Sequence, residues 1–257
     1  MLGRYQVFGA ASGAGAEIDS LEMKITRHSA HLIQLTRYPL AFPMNCYLVV
    51  EEDGLTLVDT TMSSPAEDVA TLSKELGKEL RRVALTHAHG DHVGGVAGVR
   101  QRFPAVEVSI AERDALILAG DKALLATEPQ TPIKGYFVKV DWKPDRLLKP
   151  GDRVGSLEVI ASPGHTPGHI AFLDTRDRSL IAGDAFQTRA GIAVSGDLRP
   201  LFPFPAMATW NKQSALASAE ALRALGPSLL AVGHGEALKE PAAAMDLGIE
   251  RARRAFG

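Results

Sequence analysis

Ten residues, Thr86-His87-Ala88-His89-Gly90-Asp91-His92-Val93-Gly94-Gly95, gather three imidazoles and a carboxylate between glycines. Without a thiolate at hand, these are the donors a borderline divalent cation takes. His87 and His89, two apart, can face the same way from extended backbone, where side chains alternate. Asp91 and His92 are adjacent and diverge, which suits two cations better than one. A metalloprotease helix would instead set two histidines four apart around a glutamate. Arg82-Val83-Ala84-Leu85 reads as a short buried strand and Val93 to Gln101 as a helix, so the cluster belongs to a strand-to-helix loop.

The same arrangement, an apolar strand followed by a chemistry-bearing residue among turn formers, recurs along the chain. Leu157-Glu158-Val159-Ile160 leads to Ser162-Pro163-Gly164-His165-Thr166-Pro167-Gly168-His169. Leu180-Ile181-Ala182 leads to Gly183-Asp184, and Leu229-Leu230-Ala231-Val232 leads to Gly233-His234-Gly235. Earlier, Cys46 to Val50 and Leu55 to Val58 read as a hairpin about Glu52-Asp53-Gly54 that ends at Asp59. A carboxylate there either caps the next turn or supports a neighbouring metal loop.

Together these motifs resemble the signature of the metallo-β-lactamase fold superfamily, from about Met23 onward. Five of the eight histidines fall on them; His28, His31 and His169 do not. The resemblance implies an α/β fold, a four-layer αββα sandwich in a single domain over residues 23–257. Periodicity alone yields only α with β in one domain. It further implies two divalent cations: His87, His89 and His165 hold one, Asp91, His92 and His234 the other, and Asp184 bridges them. Asp59 then orients a ligand, and His169 supports the ligands or packs beside them. Zinc is the first choice for a nitrogen-rich site without redox need, with manganese, iron or cobalt as alternatives. The implied reaction is hydrolysis, with Asp91 taking the attacking water's proton and passing it to the leaving oxygen.

Relatives within the superfamily narrow the substrate. Glyoxalase II resembles this chain in its motifs but carries a glutathione-binding helical domain after the last histidine, where little sequence remains here. Exported β-lactamases of this type lack the bridging aspartate. Nuclease members need a basic surface or an added arm, and flavodiiron proteins carry a glutamate where His89 stands. Lactonases that act on acyl-homoserine lactones place a tyrosine three residues after the bridging aspartate; here that residue is Gln187. A small-molecule ester or lactone is the expected substrate, with a glutathione-linked thioester hydrolase or an iron persulfide dioxygenase as alternatives. Tyr38, Phe42 and Met44, and after Asp184 Phe186, Leu201, Phe202, Phe204, Met207 and Trp210, are expected pocket walls, with packing of loops on the sheets as the equal alternative. Gln187 and Arg189 are expected to orient a polar or anionic group.

The elements that must position these residues follow from patterning. Ser64-Pro65 opens a helix running to about Gly77; Val106 to Ile110 reads as a strand, Ala111 to Leu118 as a helix, and Lys239 to Phe256 as a closing helix. Residues 120–150 form a long connection of the kind that binds ligands. Cys46, inside a strand, reads as a small hydrophobe, and a lone cysteine permits no internal disulfide. Residues 1–22, small and flexible, are expected to be a tail, with Met23 as an alternative start. At net charge −2 with 46% apolar residues, neither nucleic acid nor membrane is an expected partner. A cytoplasmic enzyme, monomeric or a homodimer, fits this composition.

Overall fold

Strands that are apolar at nearly every position bury both faces, and the architecture follows from that. The structure, a computed structural model, describes residues 23–257; the expectation for residues 1–22 lies outside them. Seven strands form the first sheet in chain order. They are β1 (Lys24–Arg27), β2 (Leu32–Arg37), β3 (Met44–Val50), β4 (Leu55–Val58), β5 (Leu80–Leu85), β6 (Glu107–Ala111) and β7 (Arg146–Leu148). The first four are an antiparallel meander, whereas β4 to β7 run parallel. Parallel neighbours need crossovers, supplied by α1 (Ala66–Leu76), by α2 (Gly90–Val93) with α3 (Val96–Arg102), and by α4 (Glu112–Leu118).

The second sheet begins with β8 (Arg153–Val154), β9 (Leu157–Ala161), β10 (Ile170–Asp174) and β11 (Ser179–Ile181). A two-stranded ribbon, β12 (Phe186–Gln187) and β13 (Ala193–Val194), and two helices, α5 (Phe204–Ala208) and α6 (Lys212–Ala224), follow. Then β14 (Leu229–Ala231), parallel to β11, and β15 (Leu238–Lys239) complete the sheet, and α7 (Ala242–Phe256) closes the described chain.

Side-chain alternation sorts the core into three layers of contact. On β3, Cys46 and Leu48 pack with α1, α3 and α4, while Tyr47 and Val49 meet the second sheet. On β10, Phe172 joins that inter-sheet layer, and Ala171 and Leu173 pack under α6 and α7. The stack is helices, sheet, sheet, helices, the αββα arrangement. Every chemistry-bearing motif falls at one rim: Asp59 after β4, the His87–His92 loop after β5, His165 after β9, Asp184 after β11 and His234 after β14.

Several local differences have physical reasons. The helix expected over 93–101 is interrupted at Gly94-Gly95, where the backbone presses on the 60–62 loop and the Gly95 N–H donates to the Thr61 carbonyl. The 13-residue α6 was not anticipated, because its alanine- and serine-rich sequence carries little periodic contrast. Strand β7 lies inside the stretch read as loop, and β15 precedes the closing helix. Cys46 is fully buried, and burial pushes its thiol up, out of reach of ionisation. Among the described residues no helix is long and apolar enough to cross a membrane.

Phe172 is fully buried between the sheets, so Phe172→Ala leaves a cavity there. Urea unfolding of the metal-free variant should show a loss of about 3–5 kcal/mol; a loss under ~1 kcal/mol would mean the sheets do not depend on this layer.

Candidate metal centre

The rim loops bring His87, His89, Asp91, His92, His165, Asp184 and His234 into one buried cluster. Their donor atoms group as His87–His89–His165, as His87–His92–Asp184 and as Asp91–His92–His234, each set lying within 4.8 Å of one another. His87 Nε2 and His89 Nδ1 are 3.1 Å apart, and His89 Nδ1 and His165 Nε2 are 3.0 Å apart. Asp184 reaches across, with Oδ2 3.3 Å from His165 Nε2 and 3.2 Å from His234 Nε2, and Oδ1 3.4 Å from His92 Nε2. Asp91 Oδ2 lies 3.3 Å from His234 Nε2.

The outward nitrogen of each ring fixes which atom faces in. His89 Nε2–H donates to the Lys134 carbonyl (2.9 Å) and His234 Nδ1–H to the Pro43 carbonyl (2.7 Å). Carbonyls only accept, so the inward nitrogen of the neutral His89 ring carries a lone pair, and that of His234 offers one once a cation displaces its proton. His92 Nδ1–H donates to the Asp59 carboxylate (2.8 Å). His165 Nδ1 meets Ser195 Oγ at 2.9 Å, whose hydroxyl donates to the Asp184 carbonyl. His87 Nδ1 meets Thr86 Oγ1 at 3.0 Å, and that hydroxyl donates to Asp59 Oδ2. Asp59 also accepts from the Thr86 N–H, so it orients both ends of the first motif. It does so from a left-handed backbone, φ 61°, which aspartate tolerates better than most residues.

His169 acts on Asp184 from behind. Its Nε2 accepts the Asp184 N–H at 3.1 Å while Nδ1 meets Ser162 Oγ at 2.8 Å. Asp114 went unread in the sequence, where it is one acidic residue in the first turn of a helix. It is fully buried and accepts from Ala88 N–H (2.8 Å), Thr166 Oγ1–H (2.7 Å) and Gly168 N–H (2.7 Å). It thereby ties the His87–His92 loop to the His165 loop. Burial raises its carboxyl to about 6, against the pull of those three donors.

The two halves of the cluster differ in charge. Burial and neighbouring imidazoles hold His87 well below its usual range. Burial, against the pull of Asp184, does the same for His165. Burial also opposes charge on His92 and His234, yet carboxylates overcome it. Asp59, Asp184 and Asp91 raise His92 well above its usual value, and Asp184 with Asp91 raises His234 to about 10. Burial acts against ionised Asp184, but His234 and His92 hold it well below the carboxylate range. His92 Nε2 and Asp184 Oδ1 are buried with no hydrogen-bond partner among the described residues. Converging lone pairs, two carboxylates and these orphaned atoms fit divalent cations, which would fill the lone pairs on one side and displace the protons of His92 and His234 on the other.

Close backbone approach completes the centre. A side chain at Gly233 would run into Asp184 Oδ1, and one at Gly135 into the His89 ring. Over the cluster opens a cavity of about 340 Å³. Of the expected wall residues, Phe42 and Phe204 line it. Phe202 does not; it is buried behind Phe42, their rings 5.2 Å apart, and packs against His234. Met44, Phe186 and Gln187 are buried elsewhere and do not line it, because their strands carry them into the sheets. Arg189 does not line it either; its guanidinium donates to the Leu40 carbonyl and pins the loop that carries Phe42. Met207, also expected, lines it, and Met62 and Tyr136 join the wall.

Comparison with known proteins gives the same picture. A family model described as the metallo-beta-lactamase superfamily matches residues 40–234. The uncharacterized protein YobT of Bacillus subtilis (strain 168) is 50% identical over 233 residues, 90% of this chain and 100% of YobT. Hydroxyacylglutathione hydrolase GloC of Haemophilus influenzae is 29% identical over 151 residues, 56% of this chain and 67% of GloC. Among solved structures, TTHA1623 in a di-iron-bound form is 29% identical with a TM-score of 0.59, covering 82% of this chain and 96% of that one.

Two outcomes follow. Asp59→Asn removes the charge that orients His92, so zinc affinity measured by competition with a chromophoric chelator should fall about 10–100-fold. Unchanged affinity would leave Asp59 a turn cap. Burial lowers His169 to about 3, so between there and its unfolded value of about 6.5 the unfolded state takes up a proton that the native ring refuses. Its contribution is complete above pH 6.5 and is lost as pH falls toward 3. The urea midpoint of metal-free protein should therefore drop from pH 7.5 to pH 5, and drop less in His169→Asn; equal drops would exclude His169 as a source.

Proposed function

Because this chain belongs to the metallo-β-lactamase superfamily, we propose that it is a metal-dependent hydrolase that uses two divalent cations on a small-molecule ester or lactone. The observation that carries this is the pairing of a neutral three-imidazole half with a carboxylate-bearing half across Asp184. His87, His89 and His165 would hold one cation, Asp91, His92 and His234 the other, with Asp184 shared. Two such ions supply hydroxide near neutral pH and polarise the substrate's carbonyl oxygen. Zinc suits the donor set; the di-iron-bound form of TTHA1623 makes iron the first alternative.

The chain's own residues do the rest. Asp91, with a side chain 17% exposed, is the most open of these carboxylates and lines the cavity. It takes the attacking water's proton and returns it to the leaving oxygen. Phe42 and Phe204 wall the reacting carbonyl from bulk water, which strengthens every charge interaction beneath them. The Lys134 and Pro43 carbonyls keep the His89 and His234 rings in the tautomer that points a lone pair inward.

The likeness to hydroxyacylglutathione hydrolase GloC supports a second reading, hydrolysis of a glutathione-linked thioester. An iron persulfide dioxygenase would need only one half of the cluster, and the close approach of Asp91, His92 and His234 favours the paired reading.

Protein loaded separately with zinc, manganese and iron should hydrolyse a neutral ester or lactone, at two metal equivalents per chain, and lose that turnover to a chelator. Failure of lactones, aryl esters and phosphodiesters alike would overturn the reading; turnover confined to the glutathione thioester would replace it with the second one.

A further inference from the structure

The wall above the metal centre is almost devoid of charge. Its floor is His89, Asp91, His165, Asp184 and His234, and its sides are Phe42, Met62, Phe204, Pro205 and Met207. Among the described residues no lysine or arginine lines it. The nearest candidate by sequence, Lys134, presents its carbonyl to His89, and its side chain lies outside the lining. Arg189 is held by the Leu40 carbonyl. One non-ligand side chain with a donor remains, Tyr136, whose hydroxyl has no partner among the described residues. Its place is fixed by the metal loop itself. The Gly90 N–H donates to the Tyr136 carbonyl at 2.8 Å, and the Tyr136 ring rests where a side chain at Gly90 would have to go.

The apolar surface continues outward. Phe204 and Met207, on α5, are 52% and 66% exposed; Leu201, just before that helix, and Leu40, on the loop of Phe42, are 89% and 85% exposed. So many large exposed apolar side chains around one opening mark a binding surface. We infer that the cavity selects an uncharged substrate with an apolar acyl chain, which lies along Phe42, Phe204 and Met207 and is oriented by one hydrogen bond from Tyr136. A carboxylate drawn into this space would give up water beside Asp91 and Asp184 with no cation from the wall to pair it. At the ~30 Å³ that a water occupies in the liquid, 340 Å³ holds about 11 heavy atoms, so a chain of about eight carbons fills it beside the ester group.

This inference rests on the ester or lactone reading, and the experiment separates the two. Metal-loaded protein is assayed with ethyl esters of straight-chain acids from acetate to decanoate, and with monoethyl esters of dicarboxylic acids of matching length. kcat/KM should rise about three- to fourfold per added methylene, reaching a plateau near eight carbons. Each ω-carboxylate ester should be at least about 100-fold slower than its neutral counterpart. Met207→Ala should flatten the rise. Tyr136→Phe should lower the whole series about three- to tenfold and leave its slope intact. A flat series overturns the inference, as does an ω-carboxylate preference that Lys134→Met abolishes. If neither these esters nor the lactones, aryl esters and phosphodiesters are hydrolysed, the ester or lactone reading fails by itself, and calorimetry with methyl alkyl ketones of the same lengths decides the inference. Affinity that climbs with chain length and weakens in Tyr136→Phe upholds it; affinity without that trend overturns it.

Discussion

Three imidazole nitrogens are made to point at one another with no proton between them, and the rest of the rim is built around that constraint. Such a convergence is unfavourable unless something positive stands in the middle. The chain enforces it by giving each ring an outward partner: the Lys134 carbonyl, which only accepts, for His89, and the Thr86 and Ser195 hydroxyls, each already donating to another oxygen, for His87 and His165. On the far side of Asp184 the opposite problem arises, since two carboxylates meet in a buried space and draw protons onto His92 and His234. Cations answer both problems, by filling lone pairs on one side and displacing protons on the other. Bound cations would thus take over from the protons that His92 and His234 otherwise carry beside Asp184 and Asp91.

Holding that arrangement needs loops rigid enough not to relax away from it. The two sheets cooperate here. Asn45 on β3 donates to the Val232 and Gly235 carbonyls, and Tyr47 donates to the Val232 carbonyl, so the first sheet grips the strand end that carries His234. Asp114 does the equivalent work between the first and third motifs. The long connection over 119–145 is fastened to the metal loop through Lys134 and Tyr136, which makes it both a support and a wall. Each link crosses from one element to another, so the seven donors depend on the packed sandwich beneath them.

What was legible in the sequence follows from the same physics. Ligand-bearing residues sit behind apolar strands and among glycines, so both their chemistry and their position leave a mark; His87 to His92, His165, Asp184 and His234 were all readable this way. His169 could be named as a support because it closes the motif of His165, whereas for Asp59, 27 residues before Thr86, the residues alone left a turn cap open and the family resemblance supplied the supporting role. Asp114 could not, since its partners lie 26 to 54 residues away and a helix-initial acid looks ordinary. The Lys134 and Pro43 carbonyls are backbone groups and carry no residue-type signal at all. The pocket was read least well: Met44, Phe186 and Gln187 have suitable chemistry but lie on strands whose direction buries them, while Tyr136 sits on a long connection whose path no periodicity describes; Met207, an expected wall residue, lines the cavity from α5. The four-layer stack, in turn, needed the family resemblance, because continuous apolar runs do not say which face meets which neighbour.

The central claim is that this cluster holds a pair of cations, and anomalous diffraction from crystals of metal-loaded protein tests it most directly. Two peaks are predicted, one among His87 Nε2, His89 Nδ1 and His165 Nε2, the other among Asp91, His92 Nε2 and His234 Nε2, with Asp184 between them. Loaded crystals with no peak at the cluster, or with a single peak that leaves Asp91 and His234 unbound, would contradict it.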